Sequence, residues 1–472
     1  GRPRGEEEGP GYETRRRGRE AVPHLKMSTL EQLRSELVSL LSQVRDSVTD
    51  NVRTSMQDWM ARWDAQGGSR QEVLVKIASE ILGMTENALP KKVDPAPVVE
   101  FQRVEFEFLE EFMKDVFIAE GAPEKEAAIA AHVLITADRR GIDSHGIGRL
   151  KPIYIDRIRA GIMKVSAPMT VVKETDTTAL VDGNLGLGLV IGPRCMEICL
   201  DKAKKHGLGM VVVRNSTHYG AAGYYASMAT DRGCIGVTGT NARPSIAPTF
   251  GVSPMLGTNP MTWGIPSDDP FPFVLDCATS VNQRGKIEKY AREGKPTPPG
   301  QVIDRSGKIR TDTEGILRDL VTGQCALAPL GGTPENGSYK GYGYATVVEL
   351  LSSSLCDGLT SIDLTGVDRE TGKKKPMPLG HWFLAIDIER FVELDRFKTH
   401  AGSFLRAMRA SEKDPTGPGR IFTAGEMEYE AELERTQNGG TPLPPALVQD
   451  MKELRSMYPV LHQKYSKFPF ET

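Results

Sequence analysis

Gly183-Asn184-Leu185-Gly186-Leu187-Gly188 comes nearest to a dinucleotide-binding fingerprint, and it does not match one. In G-x-G-x-x-G the first two glycines are separated by one residue, so that a tight turn brings backbone N–H groups onto a pyrophosphate. Here the wider gap comes first. No G-x-x-x-x-G-K-[ST] occurs either, so the sequence argues against both a Rossmann fold and a P-loop ATPase. Just downstream, Gly192–His206 reads as a helix stopped by Gly207. Short β-rich runs follow at Met210–Val213, Ile235–Thr238 and Phe273–Leu275. Upstream, Glu105–Glu120 is helical by period, and Glu124–Arg139 is an alanine-rich helix opened by Pro123. Pro244–Ser267 holds 24 residues without a charge and five prolines, which predicts an ordered loop rather than a helix or an interior strand. After Gly343, Tyr344–Cys356 reads as a buried helix. From about residue 99 onward the texture is that of a mixed α/β enzyme.

Composition bounds the rest. The 472 residues carry 59 Lys and Arg against 62 Asp and Glu, a net charge of −3, and 39% apolar residues. Near-balanced charge speaks against a nucleic-acid or membrane-surface partner. No run approaches the ~18 apolar residues of a spanning helix. Six cysteines without a C-x-x-C pair form neither a disulfide framework nor a zinc cage, and eight histidines without an H-x-x-x-H pair suggest no metal. A cytoplasmic location follows as the expectation. Residues 1–27 read as a disordered tail. Residues 28–98 read as a helical extension and linker, with Leu30, Leu33, Leu37 and Leu40 opening an amphipathic face that continues to Trp63. That helix either packs on its own domain or joins subunits.

Four segments can carry chemistry. Asp143-Ser144-His145-Gly146-Ile147-Gly148-Arg149 sets an imidazole at a helix-to-loop junction, with a guanidinium four residues on that can grip a carboxylate. Asn215-Ser216-Thr217-His218-Tyr219-Gly220-Ala221-Ala222-Gly223 places a second histidine at the end of a strand, before small residues that let a ligand approach. Leu275-Asp276-Cys277-Ala278-Thr279-Ser280 ends a strand on an acid that orients an imidazole, binds a sugar hydroxyl, or closes its own turn. Lys340-Gly341-Tyr342-Gly343 opens a helix where a phosphate could sit.

With Ala137–Gly146, Gly257-Thr258-Asn259-Pro260 and Arg284-Gly285-Lys286-Ile287, these segments occur in the order found in the malate/L-lactate dehydrogenase family of NAD(P)-dependent oxidoreductases, which the chain resembles over residues 101–460. Ureidoglycolate, sulfolactate and diketogulonate reductases or dehydrogenases are among its relatives. The resemblance implies an α/β, non-Rossmann NAD(P)-binding fold with a large, mostly antiparallel sheet. It implies a catalytic region over 99–465: a helical part 99–165, a cofactor-binding sheet domain over about 166–345, and a C-terminal part returning to the helices. The working unit implied is a homodimer or higher homo-oligomer. His145, His218 and Asp276 are implied as catalytic, and Ser144, Arg149, Thr258 and Asn259 as substrate-binding. His218, Asp276, Cys277, Ala278, Lys340, Gly341, Pro418 and Gly419 are implied as cofactor-binding. The cofactor is NAD or NADP, and the substrate a small 2-oxo or 2-hydroxy acid such as malate or lactate. Arg420 stands where the family carries an acid, and Thr333–Ser338 is an insertion before Lys340, which leaves NAD versus NADP open. Two rival readings stand beside this one: a cyclic imino-acid (piperideine- or pyrroline-2-carboxylate) reductase, and an inactive core that assembles through its N-terminal helix.

Overall fold

The computed structural model describes residues 101–368 and 370–471; the expected tail and the helical extension with its linker lie outside the described residues. Helix α1 (Phe106–Ala119) buries Phe106, Leu109, Phe112, Met113, Val116 and Phe117, one stripe at three- and four-residue steps. Helix α2 (Glu124–Arg139) starts after Pro123 and buries Ala127, Ala130, Ala131, Leu134 and Ile135, small residues that let the two helices approach closely. The C-terminal helices Pro445–Met457 and Pro459–Lys464 return to this layer, where Met451, Leu454, Leu461 and Phe468 share its core.

The second layer is a seven-stranded sheet. Its strands in chain order are β1 (Thr170–Glu174), β2 (Thr178–Asp182), β3 (Leu208–Ser216), β4 (Cys234–Thr240), β5 (Met261–Ile265), β6 (Phe273–Cys277) and β7 (Leu379–Asp387). In space the order is β1-β2-β3-β7-β4-β5-β6. Every pairing is antiparallel except β2 with β3, which helix α3 (Gly188–His206) connects. The central strand β7 therefore comes from beyond the expected sheet region of 166–345, because only a late strand fills the gap left between β3 and β4.

Two expectations fail. β5 is an interior strand inside the proline-rich stretch, since its five residues fit between Pro260 and Pro266, where no proline interrupts either ladder. Gly236 and Gly264 face each other across β4 and β5, and a side chain would collide with Ala229 at the first and with Ala226 at the second, both on helix α4 (Gly223–Asp231), so the glycines let α4 lie on the sheet. The helix expected at Tyr344–Cys356 is α5 (Ser338–Ser352), and it is not buried all round: Ala345, Val348 and Glu349 face inward while Tyr344, Val347 and Leu350 are exposed. An apolar helix reads as buried even when one face is left for solvent or a partner.

Candidate active site

The loop after α2 is built around a buried acid. Asp138, on the inner face of the last turn of α2, accepts the Ile147 N–H at 2.7 Å. Gly146 packs so tightly on the same carboxyl that any side chain there would overlap it. Helix α6 (Glu426–Gln437) sends Arg435 to the Asp138 carbonyl at 2.6 Å and to both Asp143 oxygens at 2.6 and 3.0 Å. Burial pushes the Asp138 carboxyl up to about 8, so it is largely protonated at neutral pH. These ties hold Ser144 and His145 at the rim of a cavity. The chain then runs through a 3₁₀ turn (Ile147–Arg149) into a π-helical turn (Leu150–Ile155), a geometry often found at functional sites.

The second histidine enters from the end of β3. His381 on β7 is wholly buried, approaches the Thr217 carbonyl with Nε2 at 3.1 Å and stacks on Tyr219 at 4.4 Å, 7° from parallel. The Thr217 hydroxyl bonds the Gly186 carbonyl and receives the Gly188 N–H that opens α3. His218 is thereby fixed with its ring 5.8 Å from that of His145, 18° from parallel. Its Nδ1 lies 2.7 Å from the Tyr154 hydroxyl and 3.3 Å from the Gly220 N–H. His145 Nδ1 meets the Ser144 hydroxyl at 2.8 Å.

Burial lowers the His145 pKa, and the Arg149 charge lowers it further while Asp276 opposes. His218 is depressed much more, first by burial and then by His145, Arg157 and Arg149. Both imidazoles are therefore neutral at pH 7. Burial raises the Tyr154 hydroxyl, so it stays a neutral donor or acceptor.

The cavity holds about 680 Å³, within the range of small-molecule sites, and Ser144, His145, His218, Thr258, Asp276 and Ala278 all line it. Gly220, Ala221, Ala222 and Gly223 pave one side, and Phe271 with Tyr429 of α6 forms another. Six expected contacts fall elsewhere. Cys277 follows Asp276 on β6, so strand alternation turns it to the opposite face. Asn259 is wholly buried and donates to Glu349 at 2.8 Å and to the Ala345 carbonyl at 3.1 Å, anchoring its loop on α5. Lys340 is exposed on the first turn of α5, its ammonium over the Tyr339 ring, and Gly341 packs against the Leu330 backbone. Pro418 and Gly419 are exposed, and neighbouring Arg420 pairs with Glu426 at 2.6 Å and Glu430 at 2.7 Å.

Two more of the expected site residues are held by bonds within the chain. Among the described residues Asp276 bonds no histidine; its carboxyl accepts the Gly223 N–H at 2.7 Å and the Thr262 hydroxyl at 3.0 Å, tying β6 to the start of α4. Arg149 lies beside the cavity rather than in its wall, with Nε donating to the Ser144 carbonyl.

Tyr154, His381 and the α6 face are absent from the sequence reading, and Asp138 enters it only inside the Ala137–Gly146 segment, with no role of its own. Two of them had a signal. Ala127, Ala131, Leu134 and Asp138 share one helical stripe, which puts an acid on an apolar face. His381, Phe383 and Ala385 alternate on β7, which puts an imidazole among core residues.

A nicotinamide cofactor fits these residues. The run of small side chains at Gly220–Gly223 gives a ring room to approach, and the buried Tyr219 hydroxyl at the cavity wall has no partner among the described residues. Among the described residues no helix is long and apolar enough to cross a membrane. Comparison with known proteins agrees with the geometry. Residues 104–452 match the family described as malate/L-lactate dehydrogenase. Malate dehydrogenase of Pyrococcus horikoshii is 39% identical over 353 residues, 75% of this chain and 94% of the relative. L-sulfolactate dehydrogenase of Methanothermobacter thermautotrophicus is 34% identical over 316 residues, 67% of this chain and 86% of the relative. The crystal structure of malate dehydrogenase from Entamoeba histolytica superposes with a TM-score of 0.74 at 42% identity, covering 79% of this chain and all of that one. With two neutral imidazoles on a cavity sized for a nicotinamide and a small acid, the chain belongs to the malate/L-lactate dehydrogenase family and is an oxidoreductase that moves a hydride between a nicotinamide cofactor and a small hydroxy acid.

Proposed function

We propose that the chain interconverts a 2-hydroxy acid and its 2-oxo acid, with malate and oxaloacetate as the leading pair and NAD as the favoured cofactor. The observation that carries this is the stacked, neutral His145–His218 pair beside Arg149, on a cavity lined by small residues. When bound, the nicotinamide supplies or takes up the hydride. The rest falls to the chain. Arg149 grips the substrate carboxylate through Nη groups that no other described residue engages. His218 Nδ1 receives the Gly220 N–H, which can only donate, so the proton of the neutral ring sits on Nε2 and is offered to the substrate's 2-oxygen. His145 has a hydroxyl partner, and Ser144 can give or accept; this ring therefore takes the hydroxyl proton in oxidation and returns it in reduction. General acid–base help of this kind contributes roughly 10²–10⁴ in rate. Thr258 adds a hydroxyl at the wall.

Arg420 is engaged by Glu426 and Glu430 within the chain rather than left for the extra phosphate of NADP, which supports NAD. The six cysteines are all free, in keeping with a reducing compartment such as the cytoplasm. The exposed Tyr344, Val347 and Leu350 support a second copy of the chain as partner.

The test is a panel of oxaloacetate, pyruvate and piperideine-2-carboxylate with NADH and NADPH, read at 340 nm. Fastest turnover is expected with oxaloacetate and NADH. Turnover of the cyclic imine alone would move the site to imino acids, and inertness toward all three would end the reading.

A further inference from the structure

Tyr154 is wholly buried, and packing accounts for its ring but not for its hydroxyl. It sits in the π-helical turn, where Leu150 and Ile155 fill the core of the helical layer. Pro152 lies inside that turn and offers no N–H for the tighter α pattern. The Tyr154 ring meets Phe117 of α1 edge-on at 6.1 Å and the His218 ring at 5.8 Å, 70° from parallel. A phenylalanine would fill the same space. The hydroxyl adds one bond, 2.7 Å long, to His218 Nδ1, and among the described residues it has no other partner. The Gly220 N–H points at the same nitrogen from 3.3 Å. Counting protons gives the direction. An N–H can only donate, so Nδ1 presents its lone pair, and the phenol donates to it as well, over the shorter bond. A proton on Nδ1 would set two N–H groups against each other and strand the phenol proton in the core.

We propose that Tyr154 is a positioning residue that acts through His218, fixing its ring and making it a hydrogen-bond donor to the substrate instead of a base. This rests on the reading of the cavity as a 2-hydroxy-acid site in which His218 faces the 2-oxygen. A carboxylate that accepts from Nδ1–H, as in a Ser-His-Asp triad, steadies the imidazolium and makes Nε2 a base. Here the partner donates to Nδ1, which draws electron density from the ring and makes Nε2–H the better donor. A neutral imidazole held in this way polarises a carbonyl without giving up its proton. The two histidines thereby divide the work. His218 polarises the 2-oxygen, and His145, whose Nδ1 partner is a Ser144 hydroxyl that can give or accept, exchanges the proton.

The experiment compares the wild type, Tyr154→Phe, His218→Ala and the double variant with oxaloacetate and NADH, alongside nitrogen NMR of the histidine rings. Wild-type His218 is expected in the Nε2–H form. In Tyr154→Phe its Nδ1 resonance moves to higher frequency, as a ring nitrogen does on losing a donor, while the His145 resonances stay. There kcat falls about 10- to 100-fold, with both KM values within about threefold and Tm within a few degrees. In the His218→Ala background the same replacement costs less than about threefold, because the coupled partner is gone. Losses that multiply in the double variant overturn the proposal, since a merely structural tyrosine acts independently of His218. An unchanged kcat in Tyr154→Phe overturns it too, as does a wild-type His218 protonated at Nδ1. That last measurement needs no variant, so it decides even if Tyr154→Phe does not fold. If the wild type turns over no oxo acid, the functional reading fails, and the ring-nitrogen resonances still decide whether Tyr154 donates.

Discussion

Two polar clusters lie close to one another and are built in opposite ways. Around His145 and His218, several groups have no partner among the described residues: Nε2 of His145, the Nη atoms of Arg149 and the buried Tyr219 hydroxyl. Around Glu349, the side chains close on each other. Its carboxyl receives Asn259 Nδ2 at 2.8 Å, the Ser361 N–H at 2.7 Å, the Ser361 hydroxyl at 2.5 Å and Asn241 Nδ2 at 3.4 Å. Both clusters contain residues that a motif treats alike, since Thr258 and Asn259 are neighbours in one segment. Thr258 reaches the cavity and Asn259 reaches Glu349. Asn259 Oδ1 is the exception in the Glu349 cluster, buried without a partner among the described residues. The cluster's donors are all spent inside the protein and position the site, whereas the unspent donors and acceptors beside the histidines face a cavity and can carry its chemistry.

The largest expected effect breaks the comparison on its chemical side. His145→Ala should lower kcat/KM by roughly 10²–10⁴ while leaving Tm within a few degrees, checked by 340 nm kinetics and thermal melts. Loss of folding instead would mean that the histidine belongs with the structural cluster. Next comes Glu349→Ala, which strands the Ser361 N–H and hydroxyl and leaves Asn259 Nδ2 and Asn241 Nδ2 with one carbonyl each; it should reduce stability by about 3 kcal/mol in urea unfolding, with turnover retained by the folded fraction at low temperature. Collapse of activity without loss of stability would move Glu349 into the chemistry.

A smaller effect concerns pH. Asp138 holds its proton up to about 8 in the folded state against an ordinary value of 3.8. Between those values the folded chain binds more protons than the unfolded one, so this carboxyl makes stability fall as pH rises from about 4 to about 8. Asp138→Asn keeps an acceptor for the Ile147 N–H and should flatten that slope in melts taken across the window. An unchanged slope would refute the burial argument. The smallest expected effect is a shift in the acid limb of the pH–rate profile for hydroxy-acid oxidation. Arg149 lowers the His145 pKa and Asp276 raises it. Arg149→Met should therefore move the limb to higher pH and Asp276→Asn to lower pH. Shifts in the same direction would break the assignment of His145 as the titrating base.

Much of this was legible before any coordinates. The failed glycine fingerprint excluded the Rossmann fold, α2 appears with its expected bounds, and six segments in order pointed to a sheet that is antiparallel but for one pairing. Ser144, His145, His218, Thr258, Asp276 and Ala278 do share one cavity. These features rest on local rules: helical period, turn residues and short motifs act over a few positions. What the tertiary structure alone decided is contact between distant segments. Tyr154 meets His218 across 64 positions, Arg435 reaches back 292 positions to Asp143, and β7 inserts between β3 and β4 from far down the chain. No periodicity encodes such meetings, because each arises when burial of apolar faces brings remote polar groups within hydrogen-bond range and leaves each to find whatever partner is there.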